Sequence, residues 1–370
     1  MSGLYIGLMS GTSLDGVDAV LVDFDGAQAR VLVHTSAPMP ASLRVELLAL
    51  NTPTDNELHR AALAANGLVR LYADQVAALL AQSGVAAHAV KAIGAHGQTV
   101  RHRPQEFDGT GYTLQLNNPS LLAELCGITV VADFRSRDVA AGGQGAPLVP
   151  AFHQAFFGKP DQALAVLNIG GISNITVLDP STPDLLGFDC GPGNALMDAW
   201  CMAHTGQPFD DAGRWAAQGR VHAGLLALLL DEPFFAKAPP KSTGRDLFNT
   251  PWLAGKLAGF DGTAPQDVQA TLTELTALSC ARCLLDTSPS CQTLVVCGGG
   301  ALNHFLMVRL QAALPTCRVI SSAERGLPPL QVEATAFAWL ARQTLQGKTS
   351  SLKSVTGAQG ARILGGIYPD

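Results

Sequence analysis

Leu4-Tyr5-Ile6-Gly7-Leu8-Met9-Ser10-Gly11-Thr12-Ser13-Leu14-Asp15-Gly16-Val17-Asp18-Ala19-Val20-Leu21-Val22 sets the pattern from which the fold is read. Two apolar runs of strand type flank a centre of Gly, Ser, Thr and Asp, the composition of a tight turn with amide and hydroxyl donors. Such a turn can wrap the oxygens of a phosphate tail, because glycine lets the backbone approach and successive amides point at the anion. Gly11, Thr12, Ser13, Leu14, Asp15, Gly16, Val17 and Asp18 are the candidate phosphate contacts. Asp15 and Asp18 are also placed to hold the water shell of a magnesium ion. An ordinary hairpin opening a domain has the same look, so the reading depends on the rest of the chain.

The pattern recurs. Ala163 to Leu178 again reads as apolar strand, a Gly170-Gly171 turn followed by Ser173 and Asn174, and a second apolar strand. A third stretch, Thr293 to Asn303, runs from a buried-type strand through Gly298-Gly299-Gly300 into a helix-like segment, suited to close packing against a nucleotide. Neither established phosphate fingerprint is present. Lys241-Ser242-Thr243 lacks the glycine spacing of a Walker A loop, and Gly300 is followed by Ala, Leu and Asn.

With 370 residues, 47% of them apolar and 15% charged, the chain is long enough for two domains with sizeable cores. A net charge of -6 leaves no basic stripe and argues against a nucleic-acid partner. The opening apolar run has no basic region before it and is broken at once by Gly and Ser, so it reads as a strand and not a signal peptide. No apolar stretch reaches membrane-spanning length, and the expected setting is the cytoplasm. Cys280 and Cys283 form a C-x-x-C without a second tight pair, which reads as buried thiols on a helix and not as a metal site.

Strands alternate with helices along the chain. A helix is expected from about Glu57 to Gln82, a strand from Ala89 into a polar loop near His96, and strands at Tyr112–Leu116 and Ile128–Ala132. The glycines from Gly142 to Gly145 break this pattern. Helices are expected again near 195–203, 221–230 and 264–283. Two α/β lobes are expected: residues 1–135, joined by 358–370, and residues 136–357.

One further stretch makes the pattern specific: Gly187-Phe188-Asp189-Cys190-Gly191-Pro192-Gly193-Asn194-Ala195-Leu196-Met197-Asp198. Taken with Met9 to Asp18, His96-Gly97-Gln98-Thr99, Gly142 to Pro150 and Lys241-Ser242-Thr243-Gly244-Arg245, it closely resembles the anhydro-N-acetylmuramic acid kinase family, nearly end to end. That family belongs to the actin-like ATPase, sugar kinase and heat-shock chaperone superfamily. The resemblance implies an α/β fold of two ribonuclease-H-like lobes, with mixed sheets flanked by helices and an interlobe nucleotide cleft. It implies a cytoplasmic phosphotransferase of peptidoglycan recycling. Such an enzyme uses ATP with Mg²⁺ to open 1,6-anhydro-N-acetylmuramic acid hydrolytically and yields N-acetylmuramic acid 6-phosphate.

Gly11 to Asp18 match the family's ATP-binding stretch, Asp189 its catalytic aspartate, and Glu333 an acidic position near the site. Gly170, Gly171 and Ser173 would face the phosphates, Gly298, Gly299 and Gly300 the adenosine, and His96, Gln98 and Arg135 the sugar or its lactyl carboxylate. No metal ion is expected to be held directly by side chains. The partners implied are the amino sugar and ATP, with neither nucleic acid nor membrane, and a homodimer is left open. The chain departs from the family pattern at Leu330-Gln331 and Asn117-Asn118, away from both the Asp189 motif and the opening turn. A conventional sugar kinase of the same superfamily, and an actin- or chaperone-like ATPase, are the competing readings.

Overall fold

The computed structural model describes residues 3–11, 14–26, 29–182, 184–239, 241–244 and 246–370. Along the chain run β1 (Leu4–Met9), β2 (Gly16–Asp23), β3 (Arg30–Pro38), α1 (Ala41–Ala49), α2 (Glu57–Ser83), β4 (Ala92–Ala95), β5 (Gln98–Pro104), β6 (Gly111–Leu116), α3 (Pro119–Cys126), β7 (Val130–Ala132), α4 (Ser136–Ala140) and α5 (Val149–Phe157). There follow β8 (Leu164–Ile169), β9 (Ile172–Leu178), β10 (Leu186–Pro192), α6 (Ala195–Thr205), α7 (Ala223–Leu230), α8 (Thr250–Leu257) and α9 (Pro265–Thr287). The chain finishes with β11 (Thr293–Cys297), α10 (His304–Ala313), β12 (Arg318–Ser321), α11 (Val332–Leu345), α12 (Lys353–Thr356) and β13 (Gly366–Tyr368).

The chain divides into two compact units, residues 1–156 with 331–370, and residues 157–330. The first holds a six-stranded sheet in the order β13-β7-β4-β1-β2-β3, the second a five-stranded sheet in the order β10-β9-β8-β11-β12. In each, three consecutive antiparallel strands are followed by two strands parallel to the first. Parallel neighbours need helical crossovers, which α2 and α3 supply in the first unit and α9 and α10 in the second. The shared strand order is that of a ribonuclease-H-type sheet, so the mixed α/β architecture expected from the paired hairpins is present.

The division falls at 156/157 and 330/331, not at the expected 135/136 and 357/358. The reason is α11, which lies against β1, β2 and β4 of the first unit's sheet. Two glycines opposite each other on adjacent strands, Gly7 and Gly94, form its seat. A Cβ at Gly7 would lie 1.8 Å from the carbonyl oxygen of Ala334, and one at Gly94 would lie 2.1 Å from that of Phe337. Apolar residues on either side of this seat, Tyr5, Val20, Val22, Ala92 and Val131, pack with Phe337, Ala338 and Ala341 of the helix. On the sheet's other face Ile6, Leu8, Leu21 and Ile93 pack with Leu68, Tyr72 and Leu79 of α2. Before α5 the chain is also tied to its far end, because the buried Asp138 carboxylate accepts from the Thr356 hydroxyl at 2.8 Å.

Two expectations need correction in detail. His96 to Thr99 leads into the two-stranded β5–β6 sheet rather than an extended polar loop. The helix expected at 221–230 begins at Ala223, where the His222 imidazole accepts the Leu225 N–H at 3.1 Å and acts as its cap. Cys280 and Cys283 lie buried on α9, as their helical spacing implies.

Candidate active site

In the second unit Asp189 belongs to a polar row that crosses the sheet. Residues in register point to the same face, and Asp189 is opposite Asn174, Asn174 opposite Asn168, and Asn168 opposite Cys297. Their sequence neighbours Phe188, Cys190, Ile175, Leu167, Ile169 and Val296 point the other way, into the core. The row lies close to the ends of β8, β10 and β11, where the chain turns through Gly170-Gly171, Gly191 to Gly193 and Gly298. In the sequence Asn174 reads only as part of the turn and Asn168 is not singled out, although single polar residues inside otherwise apolar strand alternation are a readable signal.

The Asp189 carboxylate is held on one side. Its Oδ2 accepts the Ser242 hydroxyl at 2.9 Å and the Thr243 N–H at 2.9 Å. Its own N–H donates to the Lys241 carbonyl at 3.0 Å. Oδ1 accepts no hydrogen bond among the described residues. Burial raises the pKa of the group above the usual carboxylate value, against the opposing pull of the Thr243 amide and the Ser242 hydroxyl. A bulge between Asp189 and Gly191, with Gly191 at φ 139°, shifts the register, and pairing resumes at Gly191 and Pro192. The arrangement is a half-buried carboxylate with one oxygen anchored, the other open, and more than ordinary basicity.

The glycine turns are packed closely. The Gly170 carbonyl accepts the Asn194 N–H at 2.7 Å, and the Gly171 carbonyl accepts that of Gly193 at 2.9 Å. Ser173 is wholly buried and its hydroxyl donates to the Pro192 carbonyl at 3.4 Å, so it braces the turn from behind. Gly298 has φ 76°, and a Cβ there would lie 2.5 Å from Asn168 Oδ1. A Cβ at Gly300 would strike the Ile169 side chain, whereas Gly299 has room around it.

In the first unit the opening turn is supported from below. Thr12 and Ser13 lie outside the described residues, as does Arg245. Leu14 is buried at φ 55° with its N–H on the Gly11 carbonyl at 3.2 Å. Gly16 is required by β3, since a Cβ would lie 2.4 Å from the Ala37 carbonyl oxygen. Val17 is buried, Asp15 is exposed, and Asp18 Oδ1 lies 3.1 Å from His34 Nε2. Gln98 is buried; it accepts from the Ser10 hydroxyl and donates to the Gly11 carbonyl at 3.1 Å, which fixes the turn.

His96 and Arg135 form a second group. Arg135 donates through Nε at 3.1 Å and Nη2 at 2.9 Å to His96 Nε2, which must therefore be unprotonated, and His96 Nδ1 donates to the Gly97 carbonyl at 2.7 Å. Burial, with the guanidinium beside it, pushes the His96 pKa down to about 3, so the ring is neutral at any working pH. Arg135 Nη1 donates to the Gly145 carbonyl at 2.8 Å, and Asp138 accepts the Gly145 N–H at 2.8 Å. Together they grip the glycine loop that follows α4. Asp138 was absent from the sequence reading; its burial inside a charged run gave no signal. His96 and Gln98 thus have their polar atoms committed to the protein, and act by shaping what surrounds them.

Glu333, on the first turn of α11, is half-buried in this same unit. Burial pushes its pKa up to about 7; Arg135 opposes the shift, while Asp18 and Asp15 add to it. Three carboxylates therefore bear on one another where the opening hairpin meets the helix. A carboxyl whose folded pKa exceeds its unfolded value weakens the fold as pH rises through that interval. Glu333→Gln is accordingly expected to melt later than the parent at pH 8, by on the order of 2 kcal/mol allowing for partial exposure. The gain should shrink towards pH 4.5. Thermal melts at the two pH values check this, and an equal difference at both would contradict it.

No group of three or more His, Cys, Asp or Glu side chains among the described residues is arranged to ligate a metal directly. No helix among the described residues is long and apolar enough to cross a membrane.

The family described as anhydro-N-acetylmuramic acid kinase matches residues 3–370 of the chain. A protein of that name from Albidiferax ferrireducens is 68% identical, with both chains covered completely. One from Variovorax paradoxus is 66% identical over 99% of each chain, and one from Bordetella parapertussis is 59% identical over 99% of this chain and 96% of its own. Among solved structures the chain is similar to the activator of 2-hydroxyisocaproyl-CoA dehydratase from Clostridium difficile with bound ADPNP, at a TM-score of 0.49 and 12% identity, covering 93% of this chain and 96% of that one. By a match along nearly its whole length, the chain belongs to the anhydro-N-acetylmuramic acid kinase family, and is a phosphotransferase.

Proposed function

We propose that the enzyme couples hydrolytic opening of 1,6-anhydro-N-acetylmuramic acid to phosphoryl transfer from ATP, with Asp189 as the base that activates water. The observation that carries this reading is the Asp189 carboxylate, anchored through Oδ2 with Oδ1 open and made more basic by burial. A base must be deprotonated yet basic enough to accept a proton as the bond forms. The water oxygen attacks C1 of the sugar while its proton passes to Asp189 Oδ1. The C1–O6 bond breaks, and O6 takes the γ-phosphoryl group as ADP leaves. The products are N-acetylmuramic acid 6-phosphate, ADP and the proton, which Asp189 later returns to solvent. No sugar hydroxyl is deprotonated, because the oxygen released from the bridge is the acceptor.

Phosphoryl transfer rests on positioning and charge neutralisation. The turn from Gly11 to Asp18 and the Gly170-Gly171 turn are the proposed phosphate contacts, Thr12 and Ser13 by sequence alone. Gly298 to Gly300 are assigned to the adenosine, with Gly299 the position where backbone is accessible. Magnesium accompanies ATP and neutralises its phosphates; Asp15 and Asp18 suit a hold through water, since both contribute to the negative potential at Glu333. Arg135 is the proposed partner of the lactyl carboxylate, positioned by His96, while Gln98 braces the opening turn. A cytoplasmic role in cell-wall recycling follows from the substrate.

Turnover in ¹⁸O-water tests the coupling. Label is expected at C1 of the product, above the exchange measured on preformed product under the same conditions, and none in the transferred phosphoryl group. Label in the phosphate would mean that water attacks ATP, as in an ATPase. Phosphorylation of free N-acetylmuramic acid at a comparable rate would favour a conventional sugar kinase.

A further inference from the structure

On the core side of β10, wholly within the second unit, a cavity of about 450 Å³ opens between α9 and residues 235–239 and 241. Its volume is that of a small-molecule site. Phe188 and Phe235 give it an apolar floor, and Lys237, Lys241 and Arg282 bring three cations against the one carboxylate of Asp286. Lys237 and Arg282 are exposed, and neither makes an ion pair among the described residues. Lys241 is half-buried; among the described residues its ammonium donates to the Phe235 carbonyl at 3.3 Å alone, and it rests 4.9 Å from the Phe234 ring centre. A half-buried ammonium held by one carbonyl and a ring has much to gain from an anion.

The cavity also shares its wall with the proposed base. Phe188 precedes Asp189 in β10 and faces the cavity, while Asp189 points to the opposite face of the sheet. Lys241 reaches into the cavity with its side chain and accepts the Asp189 N–H with its carbonyl. The next two residues, Ser242 and Thr243, donate to the Asp189 carboxylate. One short segment therefore touches the cavity at one residue and holds the base at the next two.

We propose that this cavity is a second binding site, for a small organic anion that joins an acidic group to a compact apolar body, and that its occupancy acts on Asp189 through residues 241–243. The acidic group pairs with Lys241, Arg282 and Lys237, and the apolar body covers Phe188 and Phe235. Drawing the Lys241 ammonium off the Phe235 carbonyl shifts the segment and alters the two hydrogen bonds that restrain the carboxylate. Binding rests on the cavity alone; the coupling rests also on Asp189 as base.

Phenyl phosphate is a suitable probe, titrated by calorimetry into the full chain with ADP and the product sugar phosphate both saturating. Binding of one equivalent is expected, at least 10-fold tighter than that of inorganic phosphate or benzyl alcohol. Lys237→Glu/Arg282→Glu should keep the parent's melting temperature and unliganded turnover, and bind the probe at least 10-fold more weakly. In the parent, saturating probe should move the acid limb of the kcat/KM pH profile, and in the double variant it should not. Absence of heat with the substrate sites filled, or equal binding by the double variant, would overturn the site. Binding with an unmoved pH profile would overturn the coupling. The binding result does not depend on the role of Asp189; the pH-profile result does, and that role is read separately from turnover of Asp189→Asn without probe.

Discussion

Asp189→Asn is expected to lower turnover by about 10²–10⁴, the usual loss when a general base is removed, with ATP and sugar affinities changed little. Asparagine keeps the shape of the side chain, and its carbonyl oxygen can accept from Ser242 and Thr243 as Oδ2 does. The remaining position becomes an amide that cannot take a proton. The fold should not suffer, since burial already disfavours the charge that the substitution removes. Calorimetric titration beside steady-state rates decides it: near-native turnover would make Asp189 a turn residue and transfer the role of base to Glu333. The parent's rate should fall as pH drops through a pKa above the ordinary carboxylate value, and that limb should vanish in any residual activity of the variant.

The second large effect is structural. Gly7→Ala is expected to destabilise the first unit by about 3–5 kcal/mol, at the upper end for a single methyl group in a packed interior. The added carbon would lie 1.8 Å from the Ala334 carbonyl and 2.8 Å from the Ala338 nitrogen, both backbone atoms of α11. A side chain can rotate out of the way, but here the helix itself must lift. Gly94→Ala should act similarly through Phe337, while Gly255→Ala, with open space in α8, should be neutral or slightly stabilising. Because α11 carries Glu333 on its first turn, Gly7→Ala should also lower activity beyond what melting accounts for. Differential scanning calorimetry of the three variants measures the effect, and an unaltered melt for Gly7→Ala would refute the seat.

The hairpins and both long crossover helices were legible because they obey short-range rules of apolar alternation, glycine turns and helical spacing, whereas the mixed sheets were expected only through the family resemblance. The helix α11 was not. It is buried nearly all round, from Val332 through Thr344, so it lacks the polar face that gives a helix its period. Missing it moved the domain boundary, since nothing in residues 331–345 points back to a sheet begun at Leu4. Site residues divide the same way. Asp189, with its glycine-rich surroundings, stood out, whereas Asn168 and Asn174 gain meaning only from strand register. His96 and Gln98 looked like ligand groups because they are polar and beside glycine; their inward hydrogen bonds are a property of the packed molecule.

The late arrival of α11 and β13 has a consequence for biosynthesis. The second unit is continuous and can complete its sheet as soon as its last strand is made. The first sheet waits with one face bare while the intervening 174 residues (157–330) are translated, about 10–35 s at ordinary elongation rates. During that interval Tyr5, Val20, Val22, Ala92 and Val131 present an apolar surface whose cover does not yet exist. The nascent chain therefore exposes this face over a defined interval, and a chain truncated after residue 330 would carry one complete unit attached to one that cannot close.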